Sequence, residues 1–235
     1  MVTRHIIAKR FRGLDRDNAP HFLTCLLNFG RYSIQSRLAE ILAWWWGVEI
    51  GQGCSFHGLP VFRRLPGSRI RIGNNCQFRS ARWSNLVGVN RPCIVSTLAK
   101  TAMLDIGDDC AFSGTTIGCA SGISIGDRVM CGANVTITDT DWHAIDWRDR
   151  HAGRPGESSP VVICDDVWLG MNVIVLKGVE VGARTVVGAG SIVTRSLPAG
   201  VIAAGQPAVV IRKLVQGEDL GTFTQSVVQG SKFTQ

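Results

Sequence analysis

Aromatic side chains are scarce in these 235 residues, at 7%, and charged ones reach only 18%. Few aromatics beside 27 glycines argue against a helical bundle and for many short strands joined by tight turns. No apolar run approaches the roughly 20 residues that a membrane-spanning helix needs. The most apolar stretch, ILAWWWGV at 41–48, is too short. None of the eight cysteines forms a CxxC pair, so zinc-ligand spacing is missing and no metal is expected. The basic start, 1–12, is not followed by an apolar signal segment, which predicts a reducing, cytoplasmic setting. No nucleic-acid-binding motif occurs, so nucleic acid is not the expected partner of the +7 net charge. Phosphorylated cofactors, anionic polysaccharide and acidic membrane surfaces are the remaining candidates.

What the sequence does have is a rhythm. From Ile163 it reads ICDDVW, LGMNVI, VLKGVE, VGARTV, VGAGSI, VTRSLP. The first position is always aliphatic, and the fifth is small or aliphatic. A helix repeats about every 3.6 residues and a strand every 2, so a period of six fits neither. It fits a flat coil of short strands joined by corners and stacked on copies of itself, with three hexapeptides per triangular turn. The unit recurs as IGQGCS from Ile50, IGNNCQ from Ile72, IGDDCA from Ile106 and IGDRVM from Ile125. The last continues in register as CGANVT and ITDTDW. Ile106 to Ile125 is 19 residues, one more than a coil, and Ile72 to Ile106 is 34, two short of two coils. Ile137 to Ile163 is 26, one coil plus eight. These offsets predict bulges and loops between regular turns. Positions one and five should face inward, making Cys54, Cys76, Cys110 and Cys131 small buried hydrophobes.

A stacked coil has open ends that need covers. Residues 18–46 are expected to form the first cover, as two helices broken at Gly30. Phe22, Leu26 and Phe29 share one helical face, and Ile34, Leu38, Ile41 and Trp45 share another. The tryptophan-rich end reads as a lid on the core edge. With the basic N-terminus, it also leaves open peripheral contact at the inner face of a membrane, where tryptophan is favoured. The expected division is a basic N-terminus and helical cap at 1–47, the coil at 48–208 with a protruding loop at 139–160, and an extension with a polar tail at 209–235. The expected fold is all-β: a parallel β-helix of hexapeptide repeats with an N-terminal helical cap.

Several segments are more specific than the rhythm. They are IGDRVMCGANVTI (125–137), the loop histidine His143, CDDVWLG (164–170), VGAGSIVTR (187–195) and AAGQPAVVIRK (203–213). On these residues the chain, over about 48–213, resembles the hexapeptide-repeat (left-handed β-helix) acyltransferases. Within them it is most similar to the maltose, galactoside and nodulation-factor acetyltransferases and to the polysaccharide O-acetyltransferases. The left hand is implied by this resemblance, because most parallel crossovers are right-handed. The chain departs from the smaller-sugar enzymes at Asp141-Trp142-His143-Ala144-Ile145-Asp146, which is longer and lacks a proline after the histidine. Residues 79–103 also depart from the plain repeat. Both departures touch the acceptor side.

The resemblance implies an O-acetyltransferase that uses acetyl-CoA, a saccharide acceptor, and a homotrimer with coenzyme held between neighbouring coils. His143 falls at the family's general-base position, and a neutral imidazole with a pKa near 6.5 suits that task at cytosolic pH. Asp141, Asp146 or a backbone carbonyl would orient its ring. His151 reads as solvated. Trp168 matches a tryptophan near the reacting acetyl group, and Ala189 a place where main chain meets pantetheine. Thr194 and Arg195 match a pair near the pantetheine and phosphates, and Arg212 a basic residue near the phosphorylated ribose. Ser113 and Trp142 are expected on the acceptor side. Transfer is expected to be direct, without a covalent intermediate. Acetyl transfer to an amine or an antibiotic hydroxyl, the zinc carbonic anhydrase of the same fold, and a non-catalytic coil are the alternatives.

Overall fold

A computed structural model of the chain describes residues 19–214. The basic segment 1–18, the polar tail 215–235 and the side chain of Phe29 lie outside the described residues. One long helix, α1 (Ala19–Trp46), leads into six coils of three strands each. The first coil is β1 (Glu49–Ile50), β2 (Ser55–His57) and β3 (Val61–Arg63). The second is β4 (Arg69–Ile72), β5 (Gln77–Arg79) and β6 (Ile94–Thr97), and the third β7 (Met103–Ile106), β8 (Ala111–Ser113) and β9 (Thr116–Cys119). The fourth is β10 (Gly122–Ile125), β11 (Met130–Ala133) and β12 (Thr136–Thr138). A loop carrying the short helix α2 (Trp147–His151) precedes the fifth, β13 (Val161–Ile163), β14 (Trp168–Leu169) and β15 (Ile174–Val175). The sixth is β16 (Glu180–Val181), β17 (Val186–Val187) and β18 (Ile192–Val193), followed by β19 (Val201–Gly205) and β20 (Ala208–Lys213).

The first strands of the six coils form sheet A, the middle strands with β19 and β20 form sheet B, and the last strands form sheet C. The result is a three-sided prism, a left-handed parallel β-helix. The register holds along sheet A, while the extra residue between the third and fourth coils appears on sheet B as a shift between Cys131 and Ala133. Ile50, Ile72, Ile106, Ile125, Ile163 and Val181 are successive partners across sheet A. Both inward positions of the sequence repeat are buried, from Ile163 and Val167 to Val193 and Leu197. On sheet B, Phe56, Phe78 and Phe112 stack with centroids 5.2 and 5.0 Å apart, close to the roughly 4.8 Å spacing of adjacent strands. Cys54, Cys76, Cys110 and Cys131 are buried, and all eight thiols are free.

Two intervals resolve differently from the sequence expectation. β4 pairs directly with β7, so Ile72 to Ile106 is a single coil whose B–C corner holds a long insertion, not two shortened coils. Likewise β10 pairs with β13, and β12 with β15, so no extra coil lies between Ile137 and Ile163. All the surplus residues belong to one loop at one C–A corner.

The glycine at position two has a reason that the rhythm alone does not reveal. At the A–B corner, Asp108 Oδ1 accepts from Asn74 N, Asp127 Oδ1 from Asp108 N, and Asp165 Oδ1 from Asp127 N. Each carboxylate reaches back to cap the turn of the coil below, in the space where a side chain on Gly73, Gly107 or Gly126 would lie.

The cap also differs from expectation. α1 runs unbroken through Gly30 and contacts all three strands of the first coil. An interior glycine costs only about 1 kcal/mol relative to alanine, too little to split a helix of 28 residues. Its buried face is the small-residue one, Ser36, Ala39 and Ala43. Ile34, Leu38, Ile41 and Trp45, expected to pack on the core, point outward and are exposed. Small residues let the helix lie close enough to supply the missing lower coil. Ser36 Oγ accepts from Phe56 N at 3.1 Å, and Gln35 Oε1 from Gly58 N at 2.8 Å. The helix ends at Gly47 (φ 65°) with a Schellman pair, Val48 N to Ala43 O and Gly47 N to Trp44 O. At the other end the chain turns back, and β20 pairs antiparallel with β19.

Candidate active site

The protruding loop leaves the C–A corner after β12 and begins with a buried charge. Asp139 is 0% exposed, and its carboxylate accepts from the backbone N–H groups of Ala120, Ser121 and Gly122, each at 2.7 Å. These belong to the same corner of the coil below. The returning chain runs beside the outgoing one, with Ser159 N on Asp139 O and Asp141 N on Glu157 O. Asp139 is therefore the root of the loop.

The outgoing arm then makes a three-residue turn before the loop goes on to α2. His143 N donates to Asp141 O at 2.7 Å across Trp142, whose φ is 64°. This γ-turn is a strained conformation for a bulky residue and needs outside support. Four contacts supply it. The Trp142 indole Nε1 donates to Thr138 Oγ1 at 3.1 Å, and its ring covers Gly118, where a Cβ would lie 2.8 Å from Cζ2. Lys177 Nζ donates to Asp141 Oδ2 at 2.6 Å and to Glu157 Oε2 at 3.1 Å. Gly156 lies flat against the His143 backbone. The two carboxylates hold the Lys177 ammonium above the ordinary lysine range, with Asp141 the larger influence. The His143 ring itself is exposed.

The two candidate orienting carboxylates are engaged elsewhere. Asp141 is on Lys177, while Asp146 caps α2 through Arg148 N at 2.7 Å. Trp142 braces the turn from beneath.

The coenzyme-side candidates fall on other parts of the prism. Trp168 stands outward on sheet B, half exposed, in a row that continues through Val186 and Ile202 to Arg212. Three strand steps separate the two ends, roughly 14 Å. Ala189 sits at the B–C corner, where its backbone is approached so closely by Gly170 that a Cβ there would lie 2.7 Å from Ala189 N. Thr194 and Arg195 follow β18 on the C–A edge and are exposed, so they share an edge with His143 rather than a face with Trp168. Ser113 ends β8, is buried, and accepts from Asn85 Nδ2 of the B–C insertion at 3.1 Å.

The loop rises from the C–A edge, and sheet B is the face opposite that edge. The candidate residues thus fall on two separate surfaces. One is the edge with His143, Thr194 and Arg195. The other is the face with Trp168 and Arg212, and Ala189 at its B–C border.

Residues 160–195 match the model of the bacterial transferase hexapeptide (six repeats), and residues 104–139 that of the hexapeptide repeat of succinyl-transferase. The chain belongs to the hexapeptide-repeat superfamily. This hexapeptide-repeat chain is 36% identical over 154 residues to a galactoside O-acetyltransferase of Lactococcus lactis, covering 65% of its own length and 66% of the relative. It spans 44 to 66% of the length of the first three curated relatives it matches. Two solved structures share its fold. The polysialic acid O-acetyltransferase OatWY has a TM-score of 0.59 at 24% identity, over 74% of this chain and 77% of that one. A variant of AntD, an N-acyltransferase from Bacillus cereus in complex with dTDP and coenzyme A, has a TM-score of 0.58 at 18% identity, over 86% and 98%.

Lys177, Gly118, Gly156 and Asp139 carry the loop, and none stands out as a motif. The repeat register held the signal for Lys177: in VLKGVE it occupies the C–A corner one coil above the loop.

Proposed function

We propose that this chain is an acetyl-CoA-dependent O-acetyltransferase acting on a saccharide hydroxyl, with its reaction site between copies of the chain in a closed trimer. The carrying observation is the separation of the His143 edge from the Trp168 face. A ring of head-to-tail contacts that closes on itself joins such unlike surfaces without leaving either unpaired. The His143 edge of one copy then faces the Trp168 row of its neighbour.

The residues on the two walls suit the donor. The apolar row from Trp168 to Ile202 fits a thin, flexible arm, and Arg212 at its end fits a phosphate. Gly170 and Ala189 keep backbone accessible at the corner. Arg195 adds a second cation from the other wall. In this reading His143 accepts the proton of the acceptor hydroxyl as its oxygen bonds to the acetyl carbon. The carbon–sulfur bond breaks, and the proton passes to the departing sulfur.

Direct transfer agrees with the state of the thiols. Cys119 lies 3.5 Å from Asp139 at the loop root, and burial followed by that carboxylate pushes its thiol up to about 12. The Cys131 thiol, inside the strand next to Trp168, is also pushed up by burial. Neither is a ready nucleophile.

The test is thiol release from acetyl-CoA across a panel of sugars, glycan fragments and amines. Turnover with a saccharide that falls by roughly 10² to 10⁴ in His143→Ala supports the reading. Turnover confined to amines would move the chain to N-acylation, and turnover indifferent to His143 would remove the base.

A further inference from the structure

We infer that α1 docks on an anionic lipid bilayer, lying in the plane of its surface with the coil standing above it. The inference is independent of the proposed chemistry.

At about 3.6 residues per turn, the face of α1 opposite Ser36, Ala39 and Ala43 carries Leu23, Leu27, Ile34, Leu38, Ile41 and Trp45, flanked by Leu26 and Trp44. All eight are exposed, Trp44 and Trp45 at 77% and 76%. From Tyr32 onward one side of the helix packs on the coil, and the opposite side is an apolar strip along the helix, interrupted at Gly30. A strip of this size on a soluble surface marks an interaction site. Because the inner side sits on the end of the prism, the strip points away from the coil along its axis. It is thus separate from the His143 edge and the Trp168 face.

Charge selects the occupant. The helix contains two arginines, Arg31 and Arg37, against one glutamate, Glu40. Residues 1–18, immediately before it in sequence, hold five lysines and arginines against two aspartates. A second copy docked strip to strip would cover the apolar residues but supply no excess of negative charge to neutralise these cations. An anionic bilayer neutralises them while receiving the apolar strip, with the tryptophans at headgroup depth where their rings are favoured. Apolar burial and basic residues are the two signals that together give stable attachment. No helix among the described residues is long and apolar enough to cross a membrane, so the attachment is to the surface.

The experiment is flotation of the full chain with vesicles of phosphatidylcholine containing about one third phosphatidylglycerol, and with pure phosphatidylcholine, alongside sizing without lipid. The wild-type chain should float with the anionic vesicles, bind pure phosphatidylcholine at least tenfold less, and be released by high salt. The double variant Ile41→Glu, Trp45→Glu should lose at least tenfold of the binding with an unchanged melting temperature, since both side chains are outside the core. Failure of the wild type to float with anionic vesicles overturns the inference, as does flotation unaffected by the double variant. A lipid-free assembly that halves in size in the double variant, with no flotation, overturns it in favour of a second copy.

Discussion

A side chain at Gly156 would collide with His143: a Cβ built there lies 2.8 Å from both the backbone nitrogen and the carbonyl oxygen of the histidine. The returning arm of the loop therefore serves as a template for the turn that carries His143. Gly156→Ala should push the γ-turn outward and misplace the imidazole. Displacement on the ångström scale is enough to cost about 10² in rate. The expected outcome is a kcat reduced by about 10- to 100-fold with little change in melting temperature. An alanine variant with normal kcat would show that the position of this turn does not matter.

Lys177 should act on the loop and not on the substrate. Lys177→Met removes the donor to Asp141 and Glu157, and His143 loses its brace. Its raised pKa gives the sign of the pH effect: the stabilising contact is complete below the ordinary lysine value of 10.5 and fades only as pH climbs through the higher folded value. The hydrogen-exchange protection factors of residues 139–160, with the base-catalysed intrinsic rate divided out, should thus stay constant across the neutral range in the wild type. They should be lower at every such pH in Lys177→Met, with a lower kcat. Equal exchange in the two proteins would contradict the assignment.

Asp139 should matter to stability first and to rate second. Asp139→Ala leaves three part-buried N–H groups without their acceptor, which at ordinary values costs about 1 to 3 kcal/mol. Asp139→Asn keeps one oxygen and should fall between. Urea unfolding gives the order wild type, asparagine, alanine, and any other order would remove Asp139 as the root of the loop.

The carboxylate ladder predicts intolerance at its glycines. In Gly107→Ala a methyl group enters the space that Asp127 Oδ1 occupies to reach Asp108 N. Overpacking of this kind costs typically about 1 to 3 kcal/mol. Gly190→Ala, with open space around it but a φ of 71°, should cost about 1 kcal/mol from backbone strain alone. Paired thermal melts separate the two causes.

The coil was legible because its physics is local and repeated. Each inward residue meets its own kind one coil away, so Ile50, Ile72, Ile106, Ile125 and Ile163 announce the register directly. What could not be read is what happens where the repeat stops. Spacing alone does not separate a missing pair of residues from an inserted loop, so Ile72 to Ile106 looked like two coils. A helix apolar on both sides does not declare which side is inward, and close approach favoured Ser36, Ala39 and Ala43 over the larger residues. The loop histidine was visible, but its setting was not. Asp141 and Asp146 looked like partners for the ring because they are near it in sequence, whereas Lys177 and the end of α2 hold them. That His143 and Trp168 lie on opposite sides of a groove, from different subunits, is what the family resemblance implies; which edge and which face they occupy follows from the assigned corners.

That split is tested most directly by mixing inactive subunits. His143→Ala and Trp168→Ala are each expected to lose most activity as pure proteins. Dissociated, mixed in equal amounts and reassembled, they should regain activity, because about a quarter of the sites would pair an intact His143 with an intact Trp168 from the neighbouring copy. Recovery toward that fraction is the predicted result. No recovery from a mixture shown to have exchanged subunits would place both residues in one chain's site and contradict the account.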